Sequence, residues 1–303
     1  MLDFSSAGGG LMREIRGSVA VVTGAGSGIG RALAMELASA GAQLAIADVN
    51  SAGLDETRKI IGPAMASSAV ARTYVLDVSD VSAVEAFARQ VERDFDRVSL
   101  LINNAGVALM GTFAEVSLAD MEWLFKINYW GVVYGCKFFM PMLEREPEAH
   151  IVNISSLFGL VAPPGQAAYA SSKFAVRGFT EALRLELKNT NIRVTCVHPG
   201  GIRTEIAEKA RAGAGVRAEV AAQDRERFKK LAPTTPETAA KVILKGVLRN
   251  KPRVLIGADA RQVDRFQRLM PARAASMLAS FVEKRAPSQP PPSKAGDNRN
   301  KTR

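Results

Sequence analysis

A tyrosine and a lysine four residues apart lie in the stretch Gly165-Gln-Ala-Ala-Tyr169-Ala-Ser-Ser-Lys173. Downstream, Phe174, Val176, Phe179, Leu183, Leu185 and Leu187 recur at near-helical spacing, which predicts a buried helix starting close to Ala167. Residues four apart on a helix share a face, one turn above the other. A phenol with its ordinary pKa of about 10 is a poor base at neutral pH. An ammonium one turn away favours the phenolate, so the spacing predicts a pKa lowered toward the range useful for proton transfer. A buried tyrosine beside a lysine that snorkels to the surface would leave the same pattern. The rest of the chain decides between the two.

Upstream, Ser18-Val-Ala-Val-Val-Thr23 is a short β-branched run of the kind found in strands covered on both faces. It leads into Gly24-Ala-Gly26-Ser27-Gly28-Ile29-Gly30 and then a helical stretch closed by Gly41. Glycines between a strand and a helix permit a tight turn and bring backbone N–H groups close to a phosphate at the positive end of the helix. That context predicts a dinucleotide site. A second buried strand, Gln43-Leu-Ala-Ile-Ala-Asp48, ends on a carboxylate. Asp48 can accept hydrogen bonds from ribose hydroxyls of NAD and would repel the extra phosphate of NADP. Asn50 rather than a cation follows it, although Arg31 and Arg58 are close in sequence.

The alternation of apolar strand and amphipathic helix continues along the chain. Strands are predicted at 72–77, 99–103, 150–155, 192–198 and 253–257, with helices at 51–61, 80–95, 118–143 and 236–250. Seven strands alternating with helices predict an α/β fold, one doubly wound parallel sheet of Rossmann type in a single domain. The organisation expected is a flexible segment over residues 1–16, a dinucleotide-binding catalytic domain over 17–257, a C-terminal helical extension over 258–282 and a basic disordered tail over 283–303. Pro290-Pro-Pro292 and the polar composition of that tail cannot build a packed core.

The chain has 303 residues, 47% of them hydrophobic, and a formal charge of +10. Part of the charge sits at the end, where Lys284 to Arg303 carries six Lys or Arg against one Asp. Such a tail lacks interleaved aromatics, so no specific nucleic-acid contact is expected beyond salt-sensitive sticking. Cys136 and Cys196 lie in apolar contexts and read as small core residues, which fits a reducing, cytoplasmic compartment. No basic start followed by an apolar run marks a signal peptide, and no apolar run has membrane-spanning length. His150 starts one strand and His198 ends another, without ligand-like neighbours, so no metal is expected.

Together these pieces resemble the short-chain dehydrogenase/reductase family over roughly residues 17–257. The residues that carry the resemblance are Thr23-Gly24-Ala-Gly-Ser-Gly28-Ile-Gly30, Asp77-Val78, Asn103-Asn104-Ala105-Gly106, Asn128-Tyr-Trp-Gly131, Ser156, Tyr169 with Lys173, and Pro199-Gly200 with Thr204. The resemblance implies that Tyr169 exchanges the substrate proton as general acid/base. Lys173 would lower its pKa and bind the nicotinamide ribose, while Ser156 orients the substrate oxygen. Asn128 would hold a water linking Lys173 to solvent. Asp77 and Val78 would meet the adenine, Asn104, Ala105 and Gly106 would line the cofactor's path, and Pro199, Gly200, Ile202 and Thr204 would pack on the nicotinamide. Ser155 competes with Ser156, and the distance from Tyr169 selects Ser156.

The activity implied is NAD-preferring interconversion of a secondary alcohol and a ketone by a homo-oligomer. The alternative is a dinucleotide-binding regulatory or scaffold protein without turnover. Residues 205–232, Ala-rich and charged, fall where the family places a mobile lid over the substrate. The extension 258–282 reads as an amphipathic helical pair broken near Pro271, packing on its own domain or on a partner subunit. Contact with a membrane surface through Arg261, Arg265, Arg268 and Arg273 is the secondary reading.

Overall fold

The computed structural model describes residues 15–65, 69–273 and 276. Strands β1 (Val19–Thr23), β2 (Gln43–Asp48), β3 (Ala71–Val75), β4 (Leu100–Asn103), β6 (Ala149–Ile154), β7 (Ile192–Pro199) and β9 (Arg253–Ile256) form one parallel sheet. Its order is β3-β2-β1-β4-β6-β7-β9. A separate two-stranded ladder pairs β5 (Leu109–Met110) with β8 (Arg211–Ala212).

Strand residues alternate between two cores because successive side chains leave a strand on opposite faces. On one face Ala20, Val22, Leu44, Ile46, Leu100 and Ile102 pack under α1 (Gly28–Ser39), α2 (Ser51–Ile61) and α8 (Pro236–Leu248). On the other, Val19, Val21, Ala45, Leu101 and Ile151 pack under α3 (Val81–Phe95), α5 (Gly131–Arg145) and α6 (Ala167–Glu186). Both faces are covered, which is why the strands read as unbroken apolar runs. The order turns back between β1 and β4, and the crevice at that reversal lies beyond the C-terminal ends of the strands.

The helix expected over 118–143 is interrupted. α4 (Leu118–Phe125) passes into a π-helical turn, Lys126–Trp130, before α5 begins. A π-turn holds an extra residue, and the apolar spacing on either side of it looks helical, so periodicity alone does not register it. α7 (Ala218–Leu231) fills most of the charged segment, and α9 (Ala258–Leu269) starts the C-terminal extension. The second helix expected beyond Pro271, the tail 283–303 and most of the segment 1–16 lie outside the described residues. Among the described residues no helix is long and apolar enough to cross a membrane.

Candidate active site

Every residue singled out for chemistry or cofactor contact sits at or just beyond the C-terminal ends of the strands, or on a helix that overhangs them. The glycine segment links β1 to α1, with Gly24 at φ +66 and Gly28 at φ +52, in the left-handed region that glycine enters freely. Gly30 is needed for another reason. A Cβ there would collide with the Gly24 carbonyl and press on the Asn104 amide. Asn104 in turn donates from Nδ2 to the Thr23 carbonyl at 2.9 Å, and the Thr23 hydroxyl accepts from the N–H groups of Asn104 and Ala105, both at 3.1 Å. The segment after β4 is thereby clipped to the glycine turn. Ser27 caps the start of α1 without a side-chain capping bond, and Ile29 packs on the core.

Asp48 accepts from Gly26 N–H through Oδ2 and from Asn50 N–H through Oδ1, each at 2.9 Å. Arg31, which could have offered a cation to a phosphate, is committed elsewhere. Its guanidinium pairs with Glu56 at 2.7 Å, donates to the Gly26 carbonyl and reaches the Thr57 hydroxyl at 3.0 Å. Nothing in the sequence marked Thr57, although it is buried and its hydroxyl also donates within the glycine turn. Asp77 lies exposed with its carboxylate engaged by Ser79, and Val78 packs at the start of α5 beside Gly131. Beyond β7, Gly200 N–H reaches the Ile256 carbonyl at 2.9 Å, Ile202 is buried, and Thr204 lies close against Gly28. A groove of about 620 Å³ opens beside Gly26, Ser27, Gly28 and Thr204, covered from the far side by Lys209 and Phe228. Its glycine floor and helix N-terminus fit a phosphate-bearing ligand.

The catalytic candidates converge around the start of α6. Tyr169 stands in the first turn of α6 and Lys173 one turn later, with Nζ 5.9 Å from the tyrosine ring centroid. Lys173 is 3% exposed and donates from Nζ to the Ile154 carbonyl at 3.1 Å. Desolvation drives its pKa down to about 8. Ser156 follows β6 and caps a short 3-10 turn, Leu157–Gly159, by accepting from Phe158 N–H at 3.1 Å. The Phe158 ring stands edge-on to Tyr169 at 6.2 Å. Burial pushes the Tyr169 phenol above its ordinary value, and a hydrogen bond with the Ser156 hydroxyl pulls it partly back.

The expected lowering of the Tyr169 pKa by Lys173 is therefore corrected: the phenol is raised. Helical spacing brings the two side chains together, but desolvation of the phenol decides the direction, and the ammonium is itself desolvated and bonded to the Ile154 carbonyl. The neighbouring Ser155 does other work, donating to the Lys173 carbonyl at 2.8 Å and so fixing α6 against β6.

Asn128 is fully buried in the π-turn. Its amide grips Val107 from both sides, accepting from the N–H at 2.8 Å and donating to the carbonyl at 3.0 Å, and it also reaches the Ser172 hydroxyl at 3.2 Å. A Cβ on Gly106 would touch both Asn128 Oδ1 and Lys173 Nζ, so these three residues meet at one point. His198, buried at the end of β7, lies with Nδ1 2.9 Å from the Ser156 carbonyl. A carbonyl only accepts, so Nδ1 carries the proton, and burial lowers the imidazole pKa to about 4. Cys136 and Cys196 are buried free thiols. Among the described residues no cluster of three or more His, Cys, Asp or Glu could hold a metal ion.

Fold and site together define a dinucleotide-binding oxidoreductase of the doubly wound class. Residues 18–215 match the short chain dehydrogenase family model. The chain is 44% identical over 275 residues, 90% of its length and 98% of the relative's, to SadH of Mycobacterium tuberculosis, which is named as an oxidoreductase. A short chain dehydrogenase/reductase from Burkholderia phymatum, solved in complex with NAD, superposes with a TM-score of 0.77 at 30% identity. The match covers 92% of this chain and 99% of that one. Levodione reductase superposes with a TM-score of 0.71 at 26% identity over 82% and 98% of the two chains. This chain belongs to the short-chain dehydrogenase/reductase family and is an oxidoreductase of that family.

Proposed function

We propose that the protein interconverts a secondary alcohol and a ketone with NAD as the preferred dinucleotide. The observation that carries this reading is the meeting of Ser156, Tyr169 and Lys173 at the start of α6. Lys173 Nζ lies 5.9 Å from the Tyr169 ring centroid, and Phe158, whose N–H bonds Ser156, stands edge-on to the phenol. The dinucleotide, when bound, supplies the hydride acceptor or donor. Ser156 holds the substrate oxygen, and Tyr169 takes the hydroxyl proton during oxidation or returns it during reduction. A phenol raised by burial is well suited to donate. To act as base it needs Lys173 turned from the Ile154 carbonyl toward the phenol. The Asn128 amide is spent on Val107 and Ser172, so a water relay from Lys173 would need a different anchor from that amide.

Preference for NAD rests on Asp48 at the end of β2 and on the commitment of Arg31 to Glu56. The purified chain, assayed for nicotinamide reduction over a panel of secondary alcohols, should favour NAD over NADP by at least about tenfold. Asp48→Ser should narrow the ratio, and a wild type that prefers NADP would refute this role for Asp48. Tight NADH binding with no turnover of any alcohol or matching ketone would favour a regulatory protein over an enzyme. Self-association is part of the same reading. Trp130, Phe174 and Leu185 leave apolar surface exposed at the start of α5 and along α6, and a monomer mass by light scattering would remove that part.

A further inference from the structure

We propose that Arg211 is a positioning residue, the latch that fastens the cover of the active site to the wall packed around Tyr169. The cover is the excursion between Ile202 and Thr234. Its two ends meet, because Ile202 bridges Thr234 in parallel and Arg203 N–H reaches the Thr234 carbonyl at 2.8 Å. From that root it runs along the groove beside the glycine turn, which it lines with Lys209 and Phe228. A segment pinned only at its root would swing, so what holds its far side determines how the site opens.

Arg211 contributes to that hold in three ways, beside the Gly215 N–H on the Glu115 carbonyl at 3.0 Å and the packing of Ala210, Val216 and Ala221 around Met110. Its backbone enters the β5–β8 ladder, with Arg211 N–H on the Ala108 carbonyl at 3.1 Å and Gly213 N–H on the Met110 carbonyl at 2.8 Å. Its guanidinium lies over the Trp123 ring, 3.8 Å from the centroid. The same group pairs with Asp120 at 2.9 Å, and that contact helps hold the Asp120 carboxyl below its ordinary range, behind the Ser117 hydroxyl. A planar guanidinium can stack and pair at once, whereas an ammonium is a point charge.

The wall it grips leads to the chemistry. Trp123 packs in one apolar cluster with Val107, Leu109, Leu124, Ala168 and Tyr169. Val107 is the residue held on both sides by Asn128. A displacement of Trp123 is thus felt at the phenol and at the Asn128 end of the site within one layer of packing. The Arg211 charge is paired with Asp120. The other cover cations with ion-pair partners are likewise occupied, Lys209 by Glu205 and Lys229 by Glu208 and Glu226.

The test needs neither substrate nor turnover, so its failure is distinct from failure of the proposed reaction. Hydrogen exchange would be followed on the full chain for wild type, Arg211→Lys and Arg211→Ala. Emission of Trp123 would be read in a Trp130→Phe background, which leaves Trp123 as the sole indole. In Arg211→Ala the amides of position 211 and Gly213 should exchange about tenfold faster while β1 and β4 are unchanged, and Trp123 emission should shift. Arg211→Lys should recover part of the protection but not the emission. Trp123→Leu, which keeps the ladder and the ion pair, should loosen the cover by a smaller factor. Unchanged exchange in Arg211→Ala, or equal acceleration in the cover and the central strands, would overturn the latch.

Discussion

Tyr169→Phe is expected to lower turnover by about a thousandfold while changing NADH affinity by no more than about fivefold, the worth of one hydrogen bond. The substitution removes the phenolic oxygen and little else. The ring keeps its edge contact with Phe158 and its place in the cluster with Trp123 and Leu109. Ser156 keeps the bond from Phe158 N–H that fixes its rotamer. What disappears is the group that exchanges the substrate proton, so only positioning against the dinucleotide would survive. The pH profile adds a second check. Because burial raises the phenol, its base form is scarce near neutrality, and alcohol oxidation by the wild type should climb as pH rises. The residual rate of the Phe variant should not follow that climb. Turnover retained in the variant would end the assignment of Tyr169 as acid/base.

Lys173→Met should also abolish most turnover, yet make the fold more stable at neutral pH. The unfolded lysine titrates at 10.5 and the buried one at about 8. Between those values the unfolded chain binds a proton that the folded chain does not, so wild-type stability rises with pH across that window. At pH 7 burying the ammonium costs the fold about 3 kcal/mol. Methionine removes that cost but leaves the Ile154 carbonyl without its donor, an offset of about 1–2 kcal/mol. Denaturant unfolding should show a variant more stable by about 1–2 kcal/mol at pH 7, with its pH slope between 8 and 10 lost. A variant destabilised at pH 7 would mean that the ammonium holds the fold together rather than straining it.

The parts of the fold readable in advance were those in which composition and period act over several residues. β1 and β2 are apolar on both faces because both are covered, and Gly24 to Gly30 stands where a strand must turn sharply into a helix. Tyr169 and Lys173 share a face because helical geometry leaves them no alternative. The features that escaped depend on contacts between distant residues or on very short elements. The two-residue strands β5 and β8 carry no period at all. The grip of Asn128 on Val107 spans 21 residues, and Arg211 finds Asp120 and Trp123 from far along the chain. The direction of the Tyr169 shift was set by desolvation, which spacing does not report.

The π-turn at Lys126–Trp130 carries a consequence for how this chain can vary. Each residue of a regular helix advances its face by about 100°, so a change of one in residue count there turns everything on one side of it relative to the other. Removing one residue between Phe125 and Gly131 would let the hydrogen-bond ladder close as a regular helix. Because the wide turn already absorbs the extra residue, α4 and α5 would keep their phase, while Asn128, which stands inside the turn, would lose its bulged position. The backbone would lose nothing locally, and the platform beneath Arg211 would stay in place, while the grip of Asn128 on Val107 would be lost. In this turn the number of residues is held under tighter constraint than the identity of most of them.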